Sequence, residues 1–515
     1  MTDQDTFTAY NAATGLPLPG NFAEATAADI DKAVRSAEVA FEWLRECRPQ
    51  RRGEFLRAVA AKMRLREPEI LARCELETGY LPERVRGEFM RATGQLELFA
   101  GLAEESVWDV RQFDSGNPDR KPFPQPEMRR RMIPVGPVAV FGACNFPLAI
   151  SVVGNDFVAA IAVGCPVVVK SHPSHPGTCK LLGEVVDEVV AEMDFPEGTF
   201  TLLHGRRPET SVALVQHPGI AAVGFTGSPN GGRALAQACL QRERPIPLFA
   251  ELGSTNPVFL APGFLAPGIL APGAVENRLE AIASGFTTSL RFGNGHMCTK
   301  PGVVVMLDRQ AKAFAEAVVD KMHAGMPMPM LSAGIADAFD QGVAKLADTT
   351  GVDELYGPRS ARSDGAVPPD DQAASFGPWH RDARWFAVDA ITAAEQNLLH
   401  CETFGPVSLL IRCTDEEQML WVAKQFKGSL TATLHVDQED AAFQARWLPI
   451  AERFAGRVIY NGWPTGMEIG SATHHGGPYP ASLDGRSTSV GYASLDRFVR
   501  PVCYQGWPEK ALSRV

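Results

Sequence analysis

The sequence predicts an α/β protein of two or more domains, and three observations predict it. Its 515 residues exceed what one hydrophobic core accommodates. From residue 134 onward, short apolar runs bounded by glycine and proline alternate with amphipathic helical segments. Those runs are apolar at successive positions rather than at every second one, the pattern of parallel strands buried on both faces of a sheet.

The elements follow in chain order. Apolar residues recur at helical spacing over 27–46 and 50–61, predicting a helical N-terminal region. Runs 134–143, 164–170 and 220–225 read as strands, with helices over 152–163 and 178–193. A second set of strand-like runs (302–307, 406–412, 430–436 and 457–460) is separate enough to form a second α/β domain. Stretch 488–504 lacks a helical period and reads as an extended arm, which is stable only when docked and so points to a subunit contact. Between the two sets, Leu-Ala-Pro-Gly recurs at 260, 265 and 270. Proline removes a backbone donor and glycine loosens the chain, so the repeats read as a surface linker, not as helix or central strand.

Composition bounds the function. Apolar content of 45% with 21% charged residues is ordinary for a soluble enzyme. A net charge of -11 argues against a nucleic-acid partner, and Arg129-Arg130-Arg131 reads as a solvated strand start. No apolar stretch approaches the roughly 18 residues of a membrane span. The acidic N-terminus lacks the features of a signal peptide. Ten scattered cysteines without a Cys-x-x-Cys pair read as reduced thiols, so a cytoplasmic location is expected.

Four segments can carry chemistry. In Phe292-Gly-Asn-Gly-His-Met-Cys298-Thr-Lys-Pro301, one cysteine follows a glycine-flanked bend. Such a bend favours a thiolate, although a small buried hydrophobe is the commoner fate of a free cysteine. Glu251, after an apolar run, is either a buried general base or a surface acid at a turn. Asn145 is either an oxyanion donor at a strand end or a turn former. Glycines 224–232, between a strand and a helix, offer backbone N–H groups to a phosphate. The doublet His474-His475 lacks the further ligands of a metal site, so no metal is expected.

Taken in order, Cys-Asn145-Phe-Pro, Val-Val-Val-Lys170, Phe225-Thr-Gly-Ser228, Glu251-Leu-Gly253, Cys298-Thr and Glu402-Thr-Phe404-Gly-Pro406 resemble the aldehyde dehydrogenase superfamily from about residue 8 to about residue 505. The resemblance implies a Rossmann-type cofactor domain (1–118 and 145–259), an α/β catalytic domain (274–470) and a small β oligomerisation arm (119–144 and 471–515), with the repeats at 260–273 as linker. It implies Cys298 as nucleophile, Asn145 and the Cys298 backbone N–H as oxyanion donors, and Glu251 as activator of the hydrolytic water. It further implies Lys170 at the adenosine ribose, Gly227, Ser228 and Gly232 at the pyrophosphate, and Glu402 and Phe404 at the nicotinamide.

NAD-preferring members carry a glutamate three residues after the lysine; here Pro173 stands there, and Arg206 and Arg207 are additional cations. The expected cofactor is therefore NADP, with NAD as a second possibility. The tail (461–466, 474–482, 486–491 and 497–505) resembles the branch of 2,5-dioxovalerate (α-ketoglutaric semialdehyde) dehydrogenases and NADP-dependent fatty-aldehyde dehydrogenases. Arg291 is the candidate for a substrate carboxylate. Phe146, Ile150, Val153, Phe292, Met297 and Trp463 are the candidate apolar walls. The expectation is a homodimer or homotetramer oxidising 2,5-dioxovalerate to 2-oxoglutarate. The alternatives are a medium- or long-chain fatty aldehyde as substrate, or a non-catalytic binding protein on the same scaffold. The repeats also lengthen the Glu251–Cys298 interval by about ten residues over the family's usual spacing.

Overall fold

The computed structural model describes residues 5–265, 274–357 and 376–512. The chain opens with a hairpin, β1 (Thr6–Tyr10) and β2 (Pro17–Ala23), followed by four helices: α1 (Ala27–Leu44), α2 (Pro49–Leu65), α3 (Glu67–Thr78) and α4 (Pro82–Glu105). Thr26 and Asp29 cap α1 reciprocally, each side chain accepting the other's backbone N–H. Ile30, Ala33, Val34, Ala37 and Leu44 recur on its buried face. Helix α4 starts on Pro82, where a missing N–H costs nothing, and buries Val85, Phe89, Ala92, Leu96 and Phe99.

A five-stranded parallel sheet follows, in the order β7 (Phe200–Leu203), β6 (Val167–Lys170), β5 (Val138–Phe141), β8 (Ala222–Thr226), β9 (Leu248–Glu251). Every residue of β5 and β6 is buried, as their unbroken valine-rich runs require. Helices α5 (Asn155–Val163), α6 (Pro176–Glu192), α7 (Pro208–Gln216) and α8 (Pro229–Leu240) make the crossovers. The strand order reverses at β5, which opens a crevice at the carboxyl ends of β5 and β8.

The second sheet has seven strands, in the order β13 (Asp353–Tyr356), β15 (Arg384–Asp389), β16 (Val407–Cys413), β11 (Val303–Leu307), β10 (Val258–Leu260), β17 (Ser429–His435), β18 (Ala455–Tyr460). All pairs are parallel except β13 with β15. Helix α9 (Ala274–Arg291) runs from this sheet towards Cys298. A three-stranded antiparallel sheet, β19 (Val499–Gln505), β4 (Met128–Pro134) and β3 (Gln112–Asp114), is largely exposed, and a short pair joins β12 (Met328–Pro329) to β14 (His380–Arg381). Among the described residues no helix is long and apolar enough to cross a membrane.

Several boundaries differ from the sequence reading. Strand β5 lies at the centre of the first sheet, not in the arm expected over 119–144, because all four of its residues need cover. Strand β10 belongs to the second sheet rather than the first. The first Leu-Ala-Pro-Gly unit is not a linker: Leu260 closes central β10, Ala261 is fully buried, and Gly263 donates its N–H to Asp440 at 2.7 Å. Residues 266–273, the other two units, lie outside the described residues. The tail is an arm only from Val499. Before that, Tyr492–Phe498 forms a buried 3-10 turn, and Arg497 reaches Asp156 at 2.6 Å. Residues 481–483 run antiparallel beside β9, exchanging Leu252 N–H to Ala481 O (2.8 Å) and Leu483 N–H to Ala250 O (3.1 Å).

Candidate active site

Where α9 ends, three successive residues take left-handed backbone: Gly293, Asn294 and Gly295, with φ of 55°, 53° and 70°. Two glycines and an asparagine are the residues that tolerate it. At Gly295 a side chain is excluded twice over, since a Cβ would lie 2.4 Å from the Gly405–Pro406 backbone. Asn294 fixes the bend by donating Nδ2–H to Met328 O at 2.8 Å. The reversal delivers His296, buried between Tyr80 and Phe404, and then Cys298. Burial drives the His296 imidazole down to about 3, so it stays neutral.

Two buried amides hold this segment. Asn145 donates Nδ2–H to His296 O at 2.6 Å. Asn256, fully buried with φ 47°, donates Nδ2–H to Cys298 O (2.8 Å) and Lys300 O (3.0 Å). Lys300 donates to Thr403 O at 3.0 Å and Val407 O at 2.7 Å. Its loss of solvent lowers its proton affinity, while burial raises that of neighbouring Glu402. A Cβ on Gly253 would sit 1.7 Å from Glu402 Oε2, so the glycine of Glu251-Leu-Gly253 makes room for that carboxylate.

The chemistry converges on three atoms. His475 Nε2 lies 3.4 Å from Cys298 Sγ and 2.9 Å from Glu251 Oε1. The second contact is close but poorly aligned for a hydrogen bond. Ser489 donates its hydroxyl to Glu251 Oε2. The tail pairing beside β9 brings both residues there, and Ser489 N–H donates back to His475 O at 2.9 Å. Burial would lift the Glu251 carboxyl, but His475, Ser489 and Cys298 together hold it below the usual carboxylate range. Burial, followed by the Glu251 charge, pushes the Cys298 thiol well up. The resting pair is therefore a neutral thiol beside a carboxylate, with an imidazole touching both. His474 stands apart, half-buried.

On one side, a cavity of about 290 Å³ opens at the ends of β5 and β8. Lys170, His172, Pro173, Gly227, Ser228 and Gly231 line it; among the described lining residues there is no carboxylate. Ser228 caps α8, accepting Gly231 N–H at 3.2 Å. Burial lowers Lys170 to about 8, with Glu24 opposing. Gly232 does not face this space: it packs on Leu252, where a Cβ would lie 2.4 Å from Cδ2. Arg206 and Arg207 do not line it either, although the adjoining Pro208 does. Their backbone N–H groups bind Glu24, and Arg207 pairs with Asp5. Glu402 and Phe404 lie on the Cys298 side, Phe404 against His296.

On the other side is a cavity of about 610 Å³, lined by Arg84, Arg91, Phe146, Arg291, Phe292 and Met297 among others. Three of the expected walls are therefore together, and three are not. Ile150 and Val153 are buried in the core around α4 and α5, and Trp463 packs behind α9 against Gly285, Phe286 and His435. Arg291 reaches the cavity, but its guanidinium is bound to Asp382 at 3.0 Å and to Met326 O. The residues that the sequence reading missed are His475 as a partner of Cys298, together with Asn256, Ser489, Arg84 and Arg91. Only the His474-His475 doublet left a visible signal, and it was read solely as a question about metal.

The model of the aldehyde dehydrogenase family matches residues 1–333. α-Ketoglutaric semialdehyde dehydrogenase 2 of Azospirillum brasilense is 39% identical over 98% of this chain and 92% of its own length. The α-ketoglutaric semialdehyde dehydrogenase of Acinetobacter baylyi is 36% identical over 99% and 92%. In structure, a variant betaine aldehyde dehydrogenase of Staphylococcus aureus superposes with a TM-score of 0.79 at 20% identity, covering 99% of this chain and 94% of that one.

Proposed function

Since this chain belongs to the aldehyde dehydrogenase family, we propose that it oxidises 2,5-dioxovalerate to 2-oxoglutarate, with NADP as cofactor and Cys298 as nucleophile. The observation that carries the reading is the contact of His475 with both Glu251 and Cys298 Sγ, Cys298 being next in the chain to Met297, which lines an arginine-bearing cavity. The names of the two relatives support the substrate.

A thiol held neutral must lose its proton to attack a carbonyl carbon. His475 Nε2, 3.4 Å away, takes it, and the Glu251 carboxylate stabilises the imidazolium. Attack gives a thiohemiacetal whose oxygen is held by the Cys298 backbone N–H and the second Nδ2–H of Asn145. A bound nicotinamide dinucleotide would supply the hydride acceptor for that carbon, and Cys298 would then carry the acyl group as a thioester. Glu251, with Ser489 fixing its other oxygen, then removes a proton from the water that releases the acid.

Lys170, Gly227 and Ser228, which line the cavity at the strand ends, would hold the dinucleotide, with Glu402 and Phe404 serving its nicotinamide end. The lining without a carboxylate, and Pro173 in place of an acid, support a 2′-phosphate there, because no lining side chain carries a like charge. The apolar walls Phe146, Phe292 and Met297 favour a second reading, a longer unbranched aldehyde. The exposed sheet β19–β4–β3 supports assembly into a homodimer or homotetramer.

The test is a panel of 2,5-dioxovalerate and hexanal, each with NADP and with NAD. Highest kcat/KM for 2,5-dioxovalerate with NADP is expected, and a clear preference for hexanal sinks the substrate. Cys298→Ser should abolish acid formation, by on the order of 10⁴-fold or more.

A further inference from the structure

The substrate cavity presents three guanidinium groups, and two are committed to the protein. Arg84 donates to Glu88 Oε2 at 2.9 Å and to Asn145 O at 3.2 Å, with its plane over Tyr80, Phe146 and Phe292. Arg291 is bound to Asp382. The third, Arg91, stands seven residues after Arg84 on α4, two turns along the same face. Among the described residues it meets no hydrogen-bond acceptor and no carboxylate, and its Nε is buried without a partner. Its one close neighbour of note is the Phe146 ring, whose centre is 5.3 Å from its guanidinium carbon.

The nearest acid on the helix does not neutralise it. Both Glu88 oxygens are in use: Oε2 accepts from Arg84, and Oε1 from the N–H groups of Leu148 and Ala149 at 2.8 and 3.0 Å. An arginine keeps its proton whatever its surroundings, so this cation remains charged. A largely desolvated charge without a partner is costly, and the cost falls when an anion arrives. Cys298 and Glu251 lie within electrostatic range of Arg91, so the guanidinium stands near the reacting groups.

We propose that Arg91 is the carboxylate anchor of the substrate cavity. It holds the far end of a short ω-oxo acid in a forked pair while the aldehyde carbon meets Cys298. The proposal rests on the semialdehyde reading above and assigns its specificity to one residue. A planar fork matched to a carboxylate gives orientation as well as attraction, which lysine, a point charge, reproduces only in part. Phe146, between Arg84 and Arg91, then packs on the connecting carbons.

The experiment compares wild type, Arg91→Met and Arg91→Lys on 2,5-dioxovalerate and on hexanal. Glutarate serves as a non-reacting inhibitor of hexanal oxidation. Arg91→Met is expected to raise KM for 2,5-dioxovalerate by about tenfold or more at nearly unchanged kcat. Hexanal kinetics should hold within about twofold, glutarate inhibition should vanish, and Arg91→Lys should restore part of both losses. Equal losses on both aldehydes would mark a structural role and overturn the proposal, as would undiminished glutarate inhibition in Arg91→Met. A wild-type enzyme that prefers hexanal yet loses glutarate inhibition with Arg91→Met leaves the anchor standing and removes the semialdehyde reading instead.

Discussion

The two cavities, one at the strand ends of the first sheet and one reaching Met297 beside Cys298, are made of different material. The one at the ends of β5 and β8 is walled by strand ends and a helix start, with Lys170 its one lysine or arginine among the described lining residues. The other is walled by side chains of α4, the end of α9 and the bend beyond it, and two of its three arginines are paired with carboxylates. A cavity of backbone reads shape and phosphate, and its determinants lie in short stretches of chain. A cavity of side chains reads charge and size, and its determinants come from distant stretches.

The contrast can be tested, and the largest effect belongs at the reacting residues. Glu251→Gln should lower turnover by on the order of 10²–10⁴-fold by blocking thioester release. It should also make the thiol more acidic. Burial raises the Cys298 thiol most, and the Glu251 charge raises it next, so removing that charge lowers it. Reactivity of the thiol falls as pH drops below its proton affinity, so the alkylation profile of Cys298 with iodoacetamide should move to lower pH in the variant. An unmoved profile would mean that the carboxylate does not govern the thiol.

Asn256→Ala comes next. It removes the donor to Cys298 O and Lys300 O, leaves those carbonyls buried, and puts alanine in left-handed backbone. The expected loss is about 2–4 kcal/mol of stability, read as a fall in Tm, together with a lower kcat on every aldehyde. A selective loss on charged aldehydes would contradict its role as a fastener of the bend. The smallest effect is on the backbone-walled side: Pro173→Glu should reduce the preference for NADP over NAD by about tenfold, through like-charge repulsion at a partly open site. If the ratio does not move, Pro173 does not face the 2′-position.

The same contrast explains what the sequence disclosed. The parallel strands, the Gly224–Gly232 turn and the glycine bend before Cys298 are local patterns, and the fold class and its reacting cysteine were legible from them. Gly232 misled because a glycine required for packing on Leu252 is written no differently from one that faces a phosphate. Arg291 is a candidate by its nearness to Cys298 in the chain, but Asp382, 91 residues on, occupies it. Arg91 was invisible, since what distinguishes it from the other arginines is the absence of a partner, a property of three dimensions. The role of His475 is not legible either: an adjacent pair of histidines raises only the question of a metal, whereas β9 and the tail together turn just one of them onto the thiol.

The pairing of residues 481–483 with β9 also orders events in time. His475 lies 177 residues beyond Cys298 in the chain, so at ribosomal speed it emerges roughly 10–35 s later. Until that last tenth of the chain docks, the cysteine has neither its proton acceptor nor the serine that steadies the carboxylate. Until then the thiol is present without the groups that make it a catalyst. Because a distant segment supplies them, turnover waits on a long-range pairing rather than on the local bend that presents the cysteine.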